Sequence, residues 1–499
     1  MYRKENKNLI FFYVPNKVLI GIFQFLDVHS RLKASLVCKT WIQLMDYPKL
    51  LCDVKIQFIG EVDETIERFS RMTRHFKWFS FYKVVIDGPV VEFLKKYSSQ
   101  FVILSFRECG VSTSNLKSIF PDKILHCDNL RTLHLLNTDI GFLFAPFPNL
   151  TELKLRLYFG LSDYVLSQFS TLFKLEKLSL GDCIVYEEES CKALHVTEEE
   201  IEAHPSHNIL SFVCIKMLIE KHRTTLRYIN FFNLHLTGDD ILTISDIEGL
   251  KLKQMIFPEN LNNMYVERFC ENQLSLVFFD FTSLLDAGDN TVSAVCKCLK
   301  NLQVLLLFNK HTIDKCIIEI FQLQHLIKLD LFYCHAISQL SYKKAVLDLK
   351  TFKLKYLNLS FAKISDDDLF KVLKCNKNIR YLNVSGTCIS NETLNMICKY
   401  LIQLECLILS SCSAISDSGL TGEFENSASL TPTPLCNLKY LTELNLDNNP
   451  LITIKGCIKA IRFPRLEKLF LYDCHGLILN EEFKMELKKQ NPCLHDLYI

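Results

Sequence analysis

The chain has 499 residues, 49% of them hydrophobic, with only 15 Gly and 13 Pro, which excludes a disordered or collagen-like protein. This length exceeds what one hydrophobic core normally serves, so we expect several domains or a repeat array. Its 57 Lys and Arg nearly balance 56 Asp and Glu, and the resulting formal net charge of +1 argues against a nucleic-acid partner.

The first residues lack the pattern of a secretory signal. A short apolar run from Leu9 to Val14 is interrupted by Pro15, Asn16 and Lys17 before any small-residue cleavage site appears. No window holds the roughly 18 uninterrupted apolar residues of a membrane span. We therefore expect a protein of the cytoplasm, the nucleus or both, with no membrane partner.

Residues 14–51 predict a cluster of short helices. Pro15 suits the first turn of a helix, where its missing N–H group costs nothing. Apolar residues then recur at helical spacing, first Val18, Leu19, Ile22, Phe23 and Leu26, next Leu32, Leu36, Val37 and Trp41, and then Ile42, Leu44 and Met45. Three short helices cannot hide this many apolar side chains. We expect the module to bury its surplus face against another protein.

From Leu130 onward a phrase of the form Leu-x-x-Leu-x-Leu recurs, and weaker units precede it at Phe79 to Ile86 and Phe101 to Cys109. It reads LIKLDLFYC from Leu326, LKYLNLSFA from Leu354 and IRYLNVSGT from Ile379, and most steps between such phrases are 24 to 28 residues. This period lies in the leucine-rich-repeat range of roughly 20 to 29. We predict a helical linker at 53–75 and a leucine-rich-repeat solenoid of about sixteen repeats over 76–499.

Each repeat pairs a strand with a helix. Alternation in the strand turns the later leucines into the core and the residues between them outward. The return segments have helical spacing, with Ser365 and Ser390 as expected N-caps before acidic residues. The fold class is therefore α/β, a short helical module followed by a curved solenoid with parallel strands on the concave face and helices on the convex face.

Two steps between strands are too long for one repeat. Insertions near 184–208, which is acidic, and near 421–435, which is rich in Ser, Thr and Pro, account for the extra length. Insertions in a solenoid emerge as loops. Either these loops have no role, or they gate a partner. In the second case the loop near 421–435 would act through phosphorylation of Thr431 or Thr433.

The 21 cysteines do not indicate a disulfide scaffold, because that inference belongs to short secreted chains. Cys183, Cys334, Cys412 and Cys474 each follow the last strand leucine by three residues, where leucine-rich repeats place a small Asn or Cys. Paired Cys-x-x-Cys spacings are missing, which disfavours zinc. We expect reduced, structural cysteines and no metal site.

The N-terminal residues carry a resemblance. Their order, with Pro15 leading the first helix, a Phe-x-x-Leu-Asp end at Phe23 to Asp27 and a Val-Cys-x-x-Trp sequence at Val37 to Trp41, resembles an F-box. An F-box followed by leucine-rich repeats is the layout of the F-box/leucine-rich-repeat proteins, and the resemblance covers nearly the whole chain. Val14 and Lys17 depart from the usual Leu before the proline and acidic residue after it.

The resemblance implies a non-catalytic substrate receptor of a Skp–cullin–F-box ubiquitin ligase. Its F-box, at 12–52, would dock on a Skp-type adaptor and through it on a cullin–RING scaffold, while the repeats hold an unknown protein substrate. By analogy, the residues of adaptor contact, or of the packing that shapes it, are Pro15, Leu19, Ile22, Phe23, Leu26, Leu32, Val37 and Trp41. Leu36 and Leu44 are as readily internal to the module.

The strand pattern also predicts a surface for the substrate. Aromatic side chains recur at positions that face away from the core, and exposed aromatic patches mark binding sites. The candidates are Tyr228, Phe232, Phe278, Phe308, Phe332, Tyr356, Tyr381, Phe470 and Tyr472. A strand register misread by one residue would instead place them in the core.

No P-loop, dinucleotide fingerprint, nucleophile elbow or His-Glu-x-x-His sequence occurs, so we expect neither catalytic residues nor a cofactor. Three interpretations remain. The chain is a ligase substrate receptor, or a non-ligase repeat scaffold or inhibitor with a degenerate F-box, or an enzyme whose site would have to appear as perturbed titratable groups on the concave face.

Overall fold

A computed structural model describes residues 14–498 except 112–126, 139–146, 187–205, 309–313, 424–432, 477–480 and runs of one to three residues elsewhere. The chain divides into two compact units. The first comprises Met1–Leu236 with Ile247–Leu250, and the second comprises Thr237–Asp246 with Lys251–Ile499. Most of both predicted insertions, including Thr431, lies outside the described residues.

The first unit begins with four short helices and continues as strands joined by helices. The helices are α1 Asn16–Gln24, α2 Val28–Ser35, α3 Lys39–Leu44, α4 Pro48–Leu51, α5 Asp63–Ser70, α6 Gly88–Tyr97, α7 Asp163–Ser167 and α8 Phe212–Lys221. The strands are β1 Lys55–Ile59, β2 Trp78–Tyr82, β3 Val85–Ile86, β4 Ile103–Arg107, β5 Gly110–Val111, β6 Thr132–Leu136, β7 Glu152–Arg156, β8 Lys177–Gly181, β9 Cys183–Tyr186, β10 Leu210–Ser211, β11 Tyr228–Asn230 and β12 Leu234–His235.

In the second unit strands and helices alternate regularly. The helices are α9 Gly238–Ser245, α10 Asn263–Asn272, α11 Asp289–Cys298, α12 Ile317–Ile320, α13 Gln339–Ala345, α14 Asp366–Cys375, α15 Asn391–Tyr400, α16 Asp417–Thr421, α17 Ile454–Ala460 and α18 Glu481–Gln490. The strands are β13 Gln254–Ile256, β14 Phe278–Asp280, β15 Val304–Leu306, β16 Lys328–Asp330, β17 Tyr356–Asn358, β18 Tyr381–Asn383, β19 Cys406–Ile408, β20 Glu443–Asn445, β21 Lys468–Phe470 and β22 Asp496–Tyr498.

All the main strands pair in parallel with the strand of the neighbouring repeat. In the first unit the order is β1, β2, β4, β6, β7, β8 and β11, and in the second it runs from β13 through β22. In most of the short strands the central residue, such as Leu305 or Leu407, is fully buried while its two neighbours are partly exposed. The predicted leucine-rich-repeat fold and its strand register are therefore confirmed.

The last strand shows how the array ends in the described residues. β22 pairs with β21 in register, and the Leu471 amide donates to the Tyr498 carbonyl across 2.8 Å. The rings of Phe470 and Tyr498 stack with centroids 4.5 Å apart. The last described residues are thus held by the preceding repeat.

The repeats begin earlier than the sequence indicated. The segment 53–75, predicted as a helical linker, contains a strand, β1, as well as α5. β1 pairs with β2 from Lys55↔Trp78 to Ile59↔Tyr82, so it is the first strand of the array. The sequence KIQFI lacks the leucine phrase, and parallel pairing with β2 outweighed that missing signal.

A residue with positive φ follows the strand in repeat after repeat. These residues are Lys83, Glu108, Asn137, Asn233, Tyr333, Phe361, Gly386, Ser411, Asn448 and Asp473. The next residue then turns into the core, and it is a cysteine at 109, 334, 412 and 474. The left-handed backbone is what reverses the side-chain direction at this point.

The cysteines after these turns are structural, as predicted. The Sγ atoms of Cys412 and Cys474 lie 3.3 and 3.1 Å from the carbonyls of Val384 and Leu446, each in the preceding repeat. Burial raises the pKa of the Cys412 thiol to about 11 and raises that of Cys474 as well. None of the cysteines whose side chains the structure describes is in a disulfide; the Cys183 side chain lies outside that set.

In the second unit several helix caps are held by the repeat before them. Ser365 and Ser390 cap α14 and α15 as predicted, with side chains that accept the Asp368 and Thr393 amides. At several helices, that of Ser390 among them, the capping residue is itself held from the previous repeat. Its backbone N–H group donates to an Asp or Asn of that repeat in the pairs Ser338 to Asp314, Ser390 to Asp366, Ser416 to Asn391 and Thr453 to Asp417.

Two glycines make room for this contact. A Cβ atom on Gly419 would lie 2.2 Å from the Asn391 Oδ1 atom, and one on Gly456 would lie 2.0 Å from the Asp417 Oδ1 atom. Any larger residue would displace the acceptor. The contact between repeats therefore constrains the first turn of the following helix as well as its cap.

Asp366 and Asp367 provide a matched test of this contact, because both lie in the first turn of α14 but only Asp366 accepts the Ser390 N–H and Thr393 hydroxyl groups. We expect Asp366→Ala to lower the free energy of unfolding by about 1.5–3 kcal/mol, as for hydrogen bonds to a charged group. Asp367→Ala should cost only a few tenths, about the helix-dipole contribution. Equal losses in urea denaturation would contradict this assignment.

The same contact predicts a dependence on pH. Desolvation alone would raise the pKa of Asp289, but N–H groups of Cys316 and Asp314 outweigh it and hold that pKa below its usual value of 3.8; the pKa of Asp314 is lowered despite desolvation, chiefly by the Ser338 N–H group. Because both folded-state pKa values are depressed, their stabilisation is present above about pH 4 and is lost as pH falls through the folded-state values.

This pH dependence is measurable by urea denaturation between about pH 5 and pH 2. The double variant Asp289→Asn and Asp314→Asn retains the acceptor oxygens but cannot titrate. Its unfolding free energy should therefore fall less steeply with acid than that of the unaltered chain. Parallel curves for the two proteins would show that these carboxylates do not contribute.

Candidate functional site

The four N-terminal helices surround a small apolar core. Leu19, Phe23, Met45 and Leu50 are buried, and the residues packed partly against them include Leu26 and Trp41. The ring of Phe23 meets that of Trp41 edge to face with centroids 4.9 Å apart. A core of this size cannot stabilise the module by itself, so the module depends on further contacts.

An ion pair ties the module to the first repeat strand. Arg31 on α2 is buried, with 5% of its surface exposed, and its guanidinium binds the carboxylate of Asp53, which lies just before β1. Arg74 and Asp46 form a second pair at 2.6 Å between the residues after α5 and after α3. A buried guanidinium needs such a partner, so the pair fixes where α2 lies relative to β1.

A second set of apolar residues on the module faces outward. Val18, Ile22 and Phe25 follow one another along one side of α1, and Phe25 is 93% exposed. The others are Val28, Leu32, Leu36, Val37 and Ile42. Isolated exposed apolar residues are ordinary, but eight within 25 residues form a surface suited to another protein.

The predicted adaptor residues therefore fall into two groups. Pro15, Ile22, Leu32 and Val37 are exposed, whereas Leu19 and Phe23 are buried and Leu26 and Trp41 pack against the core. Leu36, which the sequence allowed to be internal, is 80% exposed. Sequence reasoning missed Phe25. A hydrophobic pattern shows that a helix has an apolar side, but where two apolar stripes are adjacent it does not show which of them packs into the core.

On the strands of the second unit, side chains at equivalent positions form rows across neighbouring repeats, and most of them face outward. The buried members of these rows are Asn358, Asn383, Ser360 and Ser385. One row, at the strand starts, runs Phe278, Val304, Lys328, Tyr356, Tyr381 and Cys406. The next, two residues later, runs Asp280, Leu306, Asp330, Asn358, Asn383 and Ile408. A third follows the strands and includes Thr282, Phe308, Phe332, Ser360 and Ser385.

Where the second-row position of a repeat holds Asn or Asp, that side chain forms a local turn. An Asn or Asp side chain accepts the backbone N–H group two residues later, and such turns explain why these residue types end a strand. The pairs are Asn230 with Phe232, Asp280 with Thr282, Asp330 with Phe332, Asn358 with Ser360, Asn383 with Ser385 and Asn445 with Asp447. Both Asn and Asp can therefore close this turn.

All nine aromatic residues predicted for substrate binding lie outside the core, so the register was not misread. Tyr228 and Phe232 are in the first unit and the other seven are in the second. The structure brings Phe308 onto Phe332 with ring centroids 5.4 Å apart, and Tyr356 onto Tyr381 at 4.0 Å. Tyr472 lies 6.3 Å from Tyr498, which the sequence did not single out.

Phe308 and Phe332 belong to a larger cluster, which we call the aromatic patch and define as Phe308, Phe332, Tyr333 and Phe361. Tyr333 lies 4.8 Å from Phe332 and 4.7 Å from Phe361, centroid to centroid. All four rings are between 36% and 43% exposed. Sequence reasoning missed Tyr333 and Phe361 because their backbone conformation breaks the strand alternation.

Those two residues occupy the left-handed position after the strand, with φ of 62° and 60°. A bulky aromatic in that conformation is strained, by about 1–2 kcal/mol. The ring of Phe361 also covers the next such position, where a Cβ atom on Gly386 would meet the Phe361 Cδ1 atom at 2.4 Å. Strain of this kind commonly marks a binding site.

Below the patch, a tyrosine and two charges interact. The Tyr356 hydroxyl donates to the Asp330 Oδ2 atom at 3.1 Å, and the Lys328 ammonium lies 4.2 Å from the centre of the Tyr356 ring. Burial raises the pKa of Asp330 despite that hydroxyl, and it also raises the pKa of Tyr356. Asp330 is therefore a carboxylate that lacks full compensation.

The first unit has its own charged group on β6, β7 and β8. The His134 Nε2 atom lies 3.0 Å from Glu152, and the Lys177 ammonium lies 3.2 Å from it. Hydrogen bonding from His134, together with Lys177, lowers the pKa of Glu152 to about 2 against the effect of burial. An ionised, paired carboxylate of this type suits a structural role and would be a weak general base at neutral pH.

Over the part of the chain that the structure describes, no three His, Cys, Asp or Glu side chains come together as metal ligands would. Within the same residues, every helix is too short or too polar to cross a bilayer.

Residues 12–53 match the F-box domain family. Among solved structures, the chain is similar to the mouse RP105/MD-1 complex, with 15% identity over 91% of this chain and 75% of that one at a TM-score of 0.42. An internalin from Listeria monocytogenes has 16% identity over 60% of this chain and 82% of that one, at a TM-score of 0.39. The Rad7 and Elc1 complex of yeast has 12% identity over 97% of this chain and 92% of that one, at a TM-score of 0.36. No curated protein matches the chain.

The strain in the patch predicts an unusual result for Tyr333→Asn. The chain already uses Asn at the equivalent positions 137, 233 and 448. Relief of about 1–2 kcal/mol of strain should offset most of the lost ring contacts, so the free energy of unfolding should change by less than about 1 kcal/mol. Truncating the buried ring in Phe279→Ala should cost about 3–5 kcal/mol. Similar losses in guanidinium denaturation would contradict the strain assignment.

Proposed function

We propose that this chain, which joins an F-box domain to leucine-rich repeats, is the substrate-recognition subunit of a Skp–cullin–F-box ubiquitin ligase. Its helical module would dock on a Skp-type adaptor, and through it on a cullin–RING scaffold, in the cytoplasm or nucleus. The observation that carries the proposal is the match at 12–53 together with the apolar surface that the same residues leave uncovered.

Exposure divides the residues of the module between two proposed roles at the adaptor. Pro15, Ile22, Leu32 and Val37 would contact it directly, and Phe25 and Leu36 join them because they are the most exposed apolar residues of the module. Leu19, Phe23, Leu26 and Trp41 would act indirectly, by holding α1 against α3. Large apolar anchors of this kind contribute most of the energy of a protein interface.

The repeats would hold the protein to be ubiquitinated on the outward rows of the strands. Among the predicted aromatics of the second unit, Phe308 and Phe332 lie in the aromatic patch, and Tyr356 and Tyr381 form a stacked pair. Open strand rows offer side chains across several neighbouring repeats, which suits an extended protein surface better than a small molecule.

In this role the chain needs no chemistry of its own. Holding a substrate lysine near a charged conjugating enzyme raises its effective concentration, and the rate then comes from proximity and orientation. This agrees with the charged group around Glu152, whose carboxylate is paired and strongly acidic.

A second candidate is a repeat scaffold or inhibitor outside ubiquitination. The observation in its favour is Lys17, an exposed cation in the first turn of α1 where F-box proteins usually have an acidic residue. An adaptor surface that carries its own cation there would repel this module. Both candidates use the strand rows, so the adaptor is what distinguishes them.

Co-purification with a Skp-type adaptor tests the proposal, using the full chain and the double variant Ile22→Glu with Leu32→Glu. Both residues are exposed, so the change should leave the fold intact and weaken adaptor binding at least tenfold. The matched control is Leu340→Glu with Leu347→Glu, two leucines in the repeats that as a pair are somewhat more exposed than Ile22 and Leu32, and this variant should bind as the unaltered chain does.

The outcomes separate the candidates. Binding by the unaltered chain and the control, with loss in the module variant, supports the receptor. Failure of the folded, unaltered chain to bind any Skp-type adaptor would overturn it and favour the scaffold. Equal loss in both double variants would show that the apolar-to-charged change acts without regard to surface.

A further inference from the structure

The aromatic patch is accompanied by two carboxylates on the adjoining row. Asp280 and Asp330 lie in register on either side of Leu306, across three neighbouring strands. Parallel strands are about 4.8 Å apart, so the two carboxylates flank a strip roughly 10 Å wide. Phe308 and Phe332 follow on the same chain segments two residues after Leu306 and Asp330.

Neither carboxylate is needed as a charge by the local fold. Each closes its turn by accepting one N–H group, from Thr282 and from Phe332, and Asp330 also accepts the neutral Tyr356 hydroxyl. The same turn is closed by a neutral amide in other repeats, at Asn230, Asn358, Asn383 and Asn445. Aspartate at 280 and 330 therefore adds negative charge to this part of the surface without adding to the turn.

In the part of the chain that the structure describes, few cations lie near Asp280 and Asp330 to neutralise their negative charge. Across β14 to β18 the described residues of the three rows include one cation, Lys328, and it lies over the Tyr356 ring at 4.2 Å. The His335 ring is turned to the Tyr333 carbonyl at 2.9 Å. Burial also raises the pKa of Asp330, as expected of a carboxylate that would gain from a further cation.

The fold does not require aromatic rings at positions 333 and 361 either. Positions equivalent to Tyr333 and Phe361 hold Asn, Ser, Lys or Asp in other repeats. Aromatic side chains there carry backbone strain and remain more than one-third exposed. Strained rings and surplus carboxylates thus coincide on one stretch of the second unit, and in both cases a residue that the fold would favour has been replaced.

We propose that the aromatic patch, together with Asp280 and Asp330, binds an arginine side chain presented by the partner protein. This rests on the proposed function in that the partner would be the substrate. The planar guanidinium stacks on ring faces and donates paired hydrogen bonds to a carboxylate, so it satisfies both features at once. Lysine, a compact point charge, would bind here more weakly.

The test uses the purified full chain and four fluorescent pools of twelve-residue peptides. The pools share a random mixture of Gly, Ser, Ala and Leu and differ in one fixed central residue, which is Arg, Lys, Leu or Glu. Fluorescence polarisation should show the arginine pool binding at least tenfold more tightly than the leucine and glutamate pools, with the lysine pool between them.

Variants tie that binding to the patch. Tyr333→Asn with Phe361→Asn, and separately Asp280→Asn with Asp330→Asn, introduce residues that the chain uses at equivalent positions, so both should fold. Each should weaken binding of the arginine pool at least fivefold, and the aspartate variant should also lose its salt dependence. Lys83→Asn, at the same left-handed position in the first unit, is the matched control.

Each result decides the proposal. Equal or tighter binding of the leucine or glutamate pool overturns it, as does arginine binding that survives both double variants, and so does the absence of binding by every pool. No adaptor is present in this assay, so its failure leaves the ligase proposal untouched. Conversely, loss of adaptor binding in the earlier experiment leaves this result intact.

Discussion

In several places along the second unit, one repeat completes the helix start of the next. The Asp or Asn at the start of one helix accepts the backbone N–H group of the capping residue in the next repeat, as Asp366 does for Ser390 and Asp417 for Thr453. A helix start leaves several N–H groups unsatisfied, and here the preceding repeat satisfies one of them. Polar groups, as well as the apolar core, thereby make a repeat depend on its neighbour.

This dependence separates the two faces of the repeats. Central strand leucines such as Leu357 and contacts such as that of Asp366 hold the repeats together, and both are repeated with little change. The outward strand positions are not needed to hold neighbouring repeats together. They can vary from Lys328 to Tyr356 to Cys406 along one row, and this freedom is what allows a recognition surface to form on a regular frame.

Much of this could be predicted from the sequence, and the failures have physical causes. The leucine period located the strands, since burial of Leu305 or Leu407 requires it, and it placed the outward aromatics correctly. It missed β1, where pairing with β2 replaces the leucine phrase. It could not rank Leu19 against Phe25, because the choice between two apolar stripes depends on the neighbouring helices. It also missed Tyr333, whose left-handed backbone has no sequence signal.

The thiols that close the strand turns have a further use. Cys109, Cys412 and Cys474 are buried in separate repeats, and burial raises the pKa of each, so alkylating reagents cannot attack them in the closed structure. A repeat must open before its cysteine reacts. The rate at which each thiol is modified therefore measures the opening of its own repeat, and mass spectrometry could follow the melting of the array turn by turn without any introduced label.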